Sequence, residues 1–411
     1  MVTSAWDQGI TFPDVDLTRQ PDNPMTKSLA ATLVVIITLT TYLCAYASGN
    51  PQGESGFASV FKVVPTPNGH PKPFQNDLHS VSASSTSDIW AVGQTTIHFD
   101  GTKWTAFPVA GIKGDNTSRL GGVVDFSPTN AWAVGTVNIG LGNGNQVIEH
   151  FDGTKWSAFP GPQFQPGDEP ALESITAISP SDMWAAGFVL ANNGQSLFPL
   201  FEHFDGTSWT AFETAFGNAT TFGVSAAATN DVWAVGTVAI SQTFIEHFDG
   251  NTWSVFRSPN PGFGFNVLTG VVALAPNDAW ATGYFTQNPN STRPAKTLIE
   301  HWDGNSWQIV PSPNVGPHSQ YQSNQLYGIT AVSATDIWAF GSFFAADGSG
   351  QQFTLVLHWD GASWTIQPSP NPGDPNFRVN ILFGGTVIPQ GEIWLVGNKF
   401  GSTLALHATG Q

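Results

Sequence analysis

Seven histidines, His98, His150, His203, His247, His301, His358 and His407, recur at matched places along the 411-residue chain. Imidazoles gathered at one point bind metal, so such a set invites a metal centre. The spacing argues against one. Six of the seven open an H-[FW]-D-G-x-x-W block, and the blocks belong to successive copies of a single repeat. Equivalent positions in neighbouring packed sheets stand about 10 Å apart, whereas zinc ligands lie about 2.0–2.1 Å from the metal. One ion cannot serve them all. Each histidine is therefore expected to hydrogen-bond within its own hairpin, and no metal is assigned. The block aspartates are expected to hold backbone N–H groups in turns, and the tryptophans to be core.

Other chemistry is thin. The sequence contains no Walker loop, no H-E-x-x-H and no G-x-S-x-G. Its one cysteine, Cys44, excludes a disulfide scaffold and any multi-cysteine metal site. No cofactor is assigned. A net charge of −17 argues against a nucleic-acid partner, which needs a basic footprint. Glu173 and His79 could form an acid–base pair. Four arginines follow residue 50, Arg119, Arg257, Arg293 and Arg378, with Tyr284, Tyr321 and Tyr327.

The elements that must position these groups are set by the repeat. A block D-x-W-A-x-G occurs seven times with its tryptophan at Trp90, Trp132, Trp184, Trp233, Trp280, Trp338 and Trp394, spaced 42 to 58 residues apart. Each unit reads as four short strands. The first leads into this block and the second holds its Trp. The third ends at the His, and the fourth starts at the Trp of the H-[FW]-D-G-x-x-W block. Asp-Gly between strands three and four predicts a type I′ hairpin turn, with positive φ at both residues. Short strands rich in Val, Ile, Phe and Trp, divided by Gly, Pro and Asn, make the chain all-β. Gly and Pro total 72 residues, yet 16 Trp and 30 Phe supply too much apolar bulk for disorder. Units of about 50 residues with four strands match β-propeller blades. Ten residues before each first-block Trp stands a small residue: Ser80, Gly122, Ser174, Gly223, Gly270, Gly328 or Gly384. Small residues suit an inner strand where blades crowd at the axis.

The seventh unit lacks its fourth strand. Phe61-Lys-Val-Val-Pro65-Thr-Pro-Asn matches Trp307-Gln-Ile-Val-Pro311-Ser-Pro-Asn, with Phe61 in the Trp place. The N-terminal strand is thus expected to complete the C-terminal blade, which removes an open sheet edge. The expected fold is a closed seven-bladed β-propeller of four-stranded blades.

These repeats resemble those of secreted bacterial propeller proteins of unassigned function, and are broadly similar to kelch and Asp-box propellers over about residues 57–411. Asp303-Gly304 ahead of Trp307 follows the Asp-box turn, although the usual preceding Ser is missing. The kelch glycine pair is matched only by Gly121-Gly122 and Gly384-Gly385. His-Trp-Asp at 301–303 is similar to a WD repeat without its Gly-His partner. Copper chemistry of the galactose-oxidase kind needs a Cys–Tyr cross-link, which this chain cannot form once Cys44 leaves with a leader. A sialidase-like site needs three converging arginines, and no motif supports it. Fold does not fix function.

Function is expected on loops. The connections between strands two and three (188–199, 284–297, 342–353) and between consecutive blades vary in length and leave on one face, whereas the 94–96 connection is minimal. That face carries Phe164, Phe198, Phe263, Phe265, Tyr284, Tyr321, Phe343 and Phe344. Just before the small residue the seven units differ: His79, Gly121, Glu173, Phe222, Thr269, Tyr327 and Phe383. These are expected to ring the channel mouth, with Arg119 and Arg378 close by. Mixed aromatic and polar groups there suit a carbohydrate or a protein ligand. The expected role is a binding module. A polysaccharide hydrolase or lyase at the mouth is the enzymatic alternative, and a purely structural surface protein the third.

From Ser28 to Gly53 no residue is charged. Lys27 precedes the apolar run 29–43, and Ala45-Tyr46-Ala47 follows as an A-x-A pattern. These predict a secretory signal peptide over 25–47, cut before Ser48. Met25 then reads as the natural start, with 1–24 an over-extended N-terminus. An uncleaved anchor is the alternative, since about 20 apolar residues span a bilayer. Residues 48–56 read as linker. The expected location is outside the cell, secreted or anchored, with membrane contact only through 29–47.

Overall fold

The structure, a computed structural model, describes residues 60–71, 75–109, 112, 117–140, 144–191, 194, 196–212, 214, 216–239, 241–288, 293–316, 321–375, 378–388 and 391–409. The expected leader, the residues ahead of it and the 48–56 linker lie outside the described residues, as do residues 57–59. Twenty-eight strands form seven four-stranded antiparallel sheets, and no described residue is helical. The sheets are the blades of a ring. Blade one runs from Leu78 to Ala106, blade two from Arg119 to Ala158, and blade three from Glu169 to Phe212. Blades four, five and six span Ala219–Val255, Asn266–Ile309 and Asn324–Gln367. Blade seven combines Asn380–Ala408 with Lys62–Val63.

Ring closure is as the sequence implies. Lys62 pairs His407 and Val63 pairs Leu406. The Val64 N–H then donates to Ala405 O at 3.0 Å. Beyond it, Asn68 Oδ1 accepts the Thr403 N–H at 3.1 Å, and the Thr403 hydroxyl reaches Thr66 Oγ1 at 2.8 Å. Blades four, five and six carry the same clasp, with Asn260, Asn314 and Asn371 accepting from Thr243, Thr297 and Thr354. The repeated [Ser/Thr]-Pro-Asn is therefore a lock between the exit of the outer strand and the third strand.

The core lies in the seams between blades. Each first-block Trp stacks on the histidine of its own blade, at 4.2–4.5 Å between ring centroids. Its far side meets two aromatic rings of the next blade. Trp90 thus meets Phe151 and Trp156, and Trp394 meets Phe99 and Trp104. In the seam of blades six and seven, Phe61 from the N-terminal strand takes that role against Trp338, at 5.6 Å. Each histidine is held in turn by the first residue of its Trp block. His98 contacts Asp88 at 2.7 Å, His150 contacts Asn130 at 3.0 Å and His407 contacts Glu392 at 3.0 Å. All seven histidines thus hydrogen-bond within their own hairpin, as expected, while their rings pack into the seams.

The Asp-Gly turn differs from expectation. It is a four-residue loop, with Phe99 pairing Trp104 across residues 100–103. Only the glycine has positive φ, +90° at Gly101. Asp100 instead accepts the N–H groups of Thr102 and Lys103 with one carboxylate oxygen, at 2.9 Å each. A side chain that caps two donors replaces the left-handed residue that a type I′ turn requires.

The loops also prove shorter than expected, because strands two and three run on. Blade three pairs Phe188 with Pro199 and Leu190 with Leu197, so its hairpin extends to residues 191 and 196. Ala171, Phe188, Leu190 and Leu197 form a small apolar cluster of their own there.

Candidate binding site

The inner strands carry the feature that shapes the mouth. In every blade the pairing of strands one and two shifts by one residue at the same place. The shifts fall between Leu78 and Ser80, Leu120 and Gly122, Leu172 and Ser174, Thr221 and Gly223, Leu268 and Gly270, Leu326 and Gly328, and Leu382 and Gly384. The residue skipped is in each case the one that varies: His79, Gly121, Glu173, Phe222, Thr269, Tyr327 or Phe383. A bulge residue leaves the ladder and its side chain is re-aimed. Seven such bulges, one of them at Gly121, give six side chains free of the alternation that buries their neighbours. Sequence reasoning located these positions but not the bulge behind them.

The residue after the bulge brings the blades together. A Cβ placed on Gly270 would stand 3.0 Å from Gly328 Cα, so backbone meets backbone there. Where serine replaces glycine, its hydroxyl accepts from the next blade: Val123 N–H to Ser80 Oγ and Val224 N–H to Ser174 Oγ, both at 3.3 Å.

The mouth has two unlike arcs. On blades six, seven and one the rings form a wall. His79 stacks on Phe383 at 5.0 Å with 12° between planes, and Tyr327 tilts against Phe383 at 5.4 Å. Burial, and secondarily the Arg119 charge, lower the His79 imidazole to about 3, so it is neutral at physiological pH. Burial raises the Tyr327 phenol to about 12, and it raises Tyr284 beside it as well. On blades two and three the charges pair. Arg119 Nη2 donates to both oxygens of Glu173, at 2.6 and 2.7 Å. Glu173 thus engages Arg119 with both oxygens, not His79 as an acid–base partner.

Two of the expected residues contribute less. The Thr269 hydroxyl lies 3.1 Å from Thr282 O and 2.9 Å from Leu326 O, so backbone carbonyls of blades five and six take it up. Arg378 does not join the mouth. Its guanidinium faces the Phe353 ring at 5.9 Å, on the third strand of blade six. Arg293 lies 3.5 Å over the Phe344 ring. The arginines are thus distributed over separate partners.

Outside the mouth, the same face presents large apolar rings. Phe263 is 85% exposed, and Tyr321, Phe198 and Phe400 are exposed as well. Phe344, expected there, is buried, and Phe343 stacks on Phe353. Phe400, at the tip of the last hairpin with φ +46°, was not anticipated; its flanking Lys399 and Gly401 mark only a turn. Also missed was a cavity of about 220 Å³ lined by His70, Gln94, Thr95, Ala106, Phe107 and Val109 among others. The signal was present, since blade one has the shortest hairpin of strands two and three, Asp88–Gly93 with Thr96–Phe99.

No protein-family description and no characterised protein sequence matches the chain. Solved structures do. The WD40 β-propeller domain of Doa1 aligns with a TM-score of 0.53 at 12% identity, over 84% of this chain and 96% of that one. A chain of the mitotic checkpoint complex aligns at 0.52 and 11% identity, over 91% and 100%. The extracellular domain of a hybrid two-component system of B. thetaiotaomicron aligns at 0.51 and 11% identity, over 85% of this chain and 42% of that one. At such identities the likeness is one of fold. The chain is a seven-bladed β-propeller, the fold it shares with these structures.

Proposed function

We propose that this propeller is a binding module that holds a protein segment across the face where the variable connections emerge. One observation carries the reading: Phe198, Phe263, Tyr321 and Phe400 stand exposed on that face. Large exposed rings on a rigid scaffold are what anchor a partner. Glu173 engages Arg119 with both oxygens, so the Glu173–His79 pair that the sequence offered does not form. We further place the module outside the cell, exported by the 25–47 leader, on the strength of that sequence pattern. A carbohydrate is the second reading, favoured by the wall of His79, Phe383 and Tyr327, whose ring faces suit the C–H faces of a sugar.

Panning a displayed random-peptide library against the purified chain tests the proposal. Selected peptides should lose at least tenfold in affinity with Phe263→Ser plus Tyr321→Ser, and none with Val255→Ser on the outer rim of blade four. A glycan array run in parallel tests the second reading. Sugar binding that Phe383→Ala abolishes, without any peptide binding, would move the function to carbohydrate. Silence in both assays refutes the module.

A further inference from the structure

Blade one departs from the repeat at the clasp. In blades four to seven, [Ser/Thr]-Pro-Asn follows the outer strand and its Asn accepts from a threonine four residues before the seam histidine. Blade one has neither half. Val109-Ala-Gly111 stands where the three-residue segment would, and Gln94 where the threonine would. The cavity of about 220 Å³ lies at this place, with Gln94 and Val109 in its lining. It is bounded by the tip of the hairpin of strands two and three and by the connections into and out of blade one, so it belongs to the face proposed to bind.

The lining divides by chemistry. The connection to blade two supplies Phe107, Pro108, Val109 and Ile112, all apolar. The hairpin tip supplies Gln94, Thr95 and Thr96, and the connection from blade seven supplies His70. Thr95 and Gln94 are only 4% and 8% exposed, yet the Thr95 hydroxyl and the Gln94 amide nitrogen make no hydrogen bond. Gln94 Oε1 is already engaged, accepting the Asp77 N–H at 3.3 Å. Thr96 Oγ1 is buried without a partner, in a slot where the other blades carry Ile148, Phe201, Ile245, Ile299, Val356 and Ala405. Buried polar groups left unpaired cost stability, so three at one hairpin tip call for a partner. The His70 Nε2–H donates to the Gln94 carbonyl at 3.1 Å, which leaves Nδ1 as an acceptor in the neutral ring. Among the described residues no charged side chain lines the cavity.

These features define the occupant. An apolar cavity of about 150 Å³ holds benzene, so this one has room for a six-membered ring with a substituent. The occupant must be uncharged, apolar over most of its body and polar at one end. A tyrosine side chain has this form, and its hydroxyl seeks a partner when buried. A pyranose does not, because hydroxyls around its whole edge would face Phe107, Pro108 and Val109. Phenylalanine would leave the hairpin tip unpaired. We propose that the blade-one cavity receives a tyrosine side chain of the bound segment, its phenol donating to Thr95 Oγ1 and accepting from Gln94 Nε2. The assignment rests on the binding reading and names its anchor. The exposed Phe400 stands beside it. Asn76 Nδ2 lies 3.2 Å from His70 O and 3.5 Å from Gly401 O, so one side chain joins the cavity wall to the hairpin tip that carries Phe400. A segment resting on Phe400 thus has the cavity within reach of a neighbouring residue.

Chemical-shift titration of the purified chain with N-acetyltyrosinamide and N-acetylphenylalaninamide tests this. The tyrosine amide should bind at least tenfold more tightly and shift the amides of residues 94–96 and 107–109. Thr95→Val keeps the shape and removes the hydroxyl. It should cut the preference below threefold and leave the phenylalanine amide's affinity unchanged. Should that variant fold poorly, the wild-type shift map decides: changes at 94–96 and 107–109 support the assignment, and changes elsewhere alone overturn it. Equal affinities of the two amides, a preference that survives Thr95→Val, or methyl glucoside binding there in place of the tyrosine amide would also overturn it. If the tyrosine amide binds as described and no peptide is ever selected, the cavity assignment stands and the module reading falls. Selected peptides that lack tyrosine and depend on Phe263 and Tyr321 keep the module and overturn the cavity's role.

Discussion

Replacing Glu202 with leucine should make the protein more stable, by an amount that grows with pH. The side chain is fully buried in the seam of blades two and three, and both its oxygens lack a hydrogen-bond partner. Burial raises its carboxyl from 4.5 to about 8, against a smaller opposing effect of Gln146. In the unfolded chain the group ionises near 4.5, so the unfolded state releases its proton first as pH rises. The fold accordingly loses stability from about pH 4.5 up to about pH 8, and nothing more beyond. At about 1.36 kcal/mol per pH unit, the loss is near zero at pH 4, about 3 kcal/mol at pH 7 and at most about 5 kcal/mol at pH 9. Leucine carries no such dependence, and Leu357, which precedes His358 as Glu202 precedes His203, shows that the slot accepts it. Thermal melts of wild type and Glu202→Leu at matched pH values test this. With roughly 1–2 °C per kcal/mol for a chain of this size, the melting temperatures should nearly coincide in their pH-dependent part at pH 4. They should diverge by several degrees at pH 9. Two curves separated by a constant offset would refute the reasoning, because the carboxyl would then titrate as it does in water.

Phe61→Ala removes the ring that closes the seam of blades six and seven against Trp338, and should cost about 3–5 kcal/mol in chemical denaturation; a loss below 1 kcal/mol would show that the closing strand contributes little. Gly270→Ala places a Cβ 3.0 Å from Gly328 Cα, where only backbone could yield, and should cost about 1–3 kcal/mol by the same measurement. His79 should keep its neutral ring resonances in NMR down to about pH 3, and Arg119→Met should raise that midpoint by removing the nearby charge; titration near 6.5 in the wild type would contradict the burial described. Glu173→Gln leaves Arg119 half-paired and should cost about 2–3 kcal/mol without abolishing any turnover.

Architecture was legible because every part of it repeats. One copy of Asp-x-Trp-Ala-x-Gly says little, but seven copies tie a Trp, a His and a small inner residue to fixed places in four strands. Even the closing strand could be read, because Phe61 to Asn68 copies a segment whose context was known from blades five and six. What failed to read was local and physical. The type I′ turn was inferred from Asp-Gly alone, yet the aspartate caps two N–H groups and so spares itself a positive φ. The 188–199 connection was read as loop, since nothing in Phe-Val-Leu-Ala or Leu-Phe-Pro-Leu shows that the two runs will pair. Arg378 was placed near the mouth by its count from the inner strand, but an arginine stem is long enough to reach a ring on the preceding blade.

The deeper lesson concerns where repeats depart from one another. Identity among the copies encodes the ring, so any activity must lie in the differences, and differences occur at only a few positions per blade. The bulge residue is one, and there the chain sets a wall of three rings, His79, Phe383 and Tyr327, against the Arg119–Glu173 ion pair. The residue before the seam histidine is another. Whether it is a glutamate or an aliphatic residue has no bearing on strand, register or closure, since Glu149 and Leu406 occupy the same slot of two different blades. A chain that folds with an aliphatic residue in three seams, Ile97, Leu357 and Leu406, needs no glutamate in the other four for folding. Each of these carboxyls has at least one buried oxygen without a hydrogen-bond partner, and as an anion it destabilises the seam, so its presence calls for a compensating use. The seams that contain Glu246 and Glu300 are those whose connections carry or pack against the exposed Phe263 and Phe198, which ties the stability cost to the face proposed to bind.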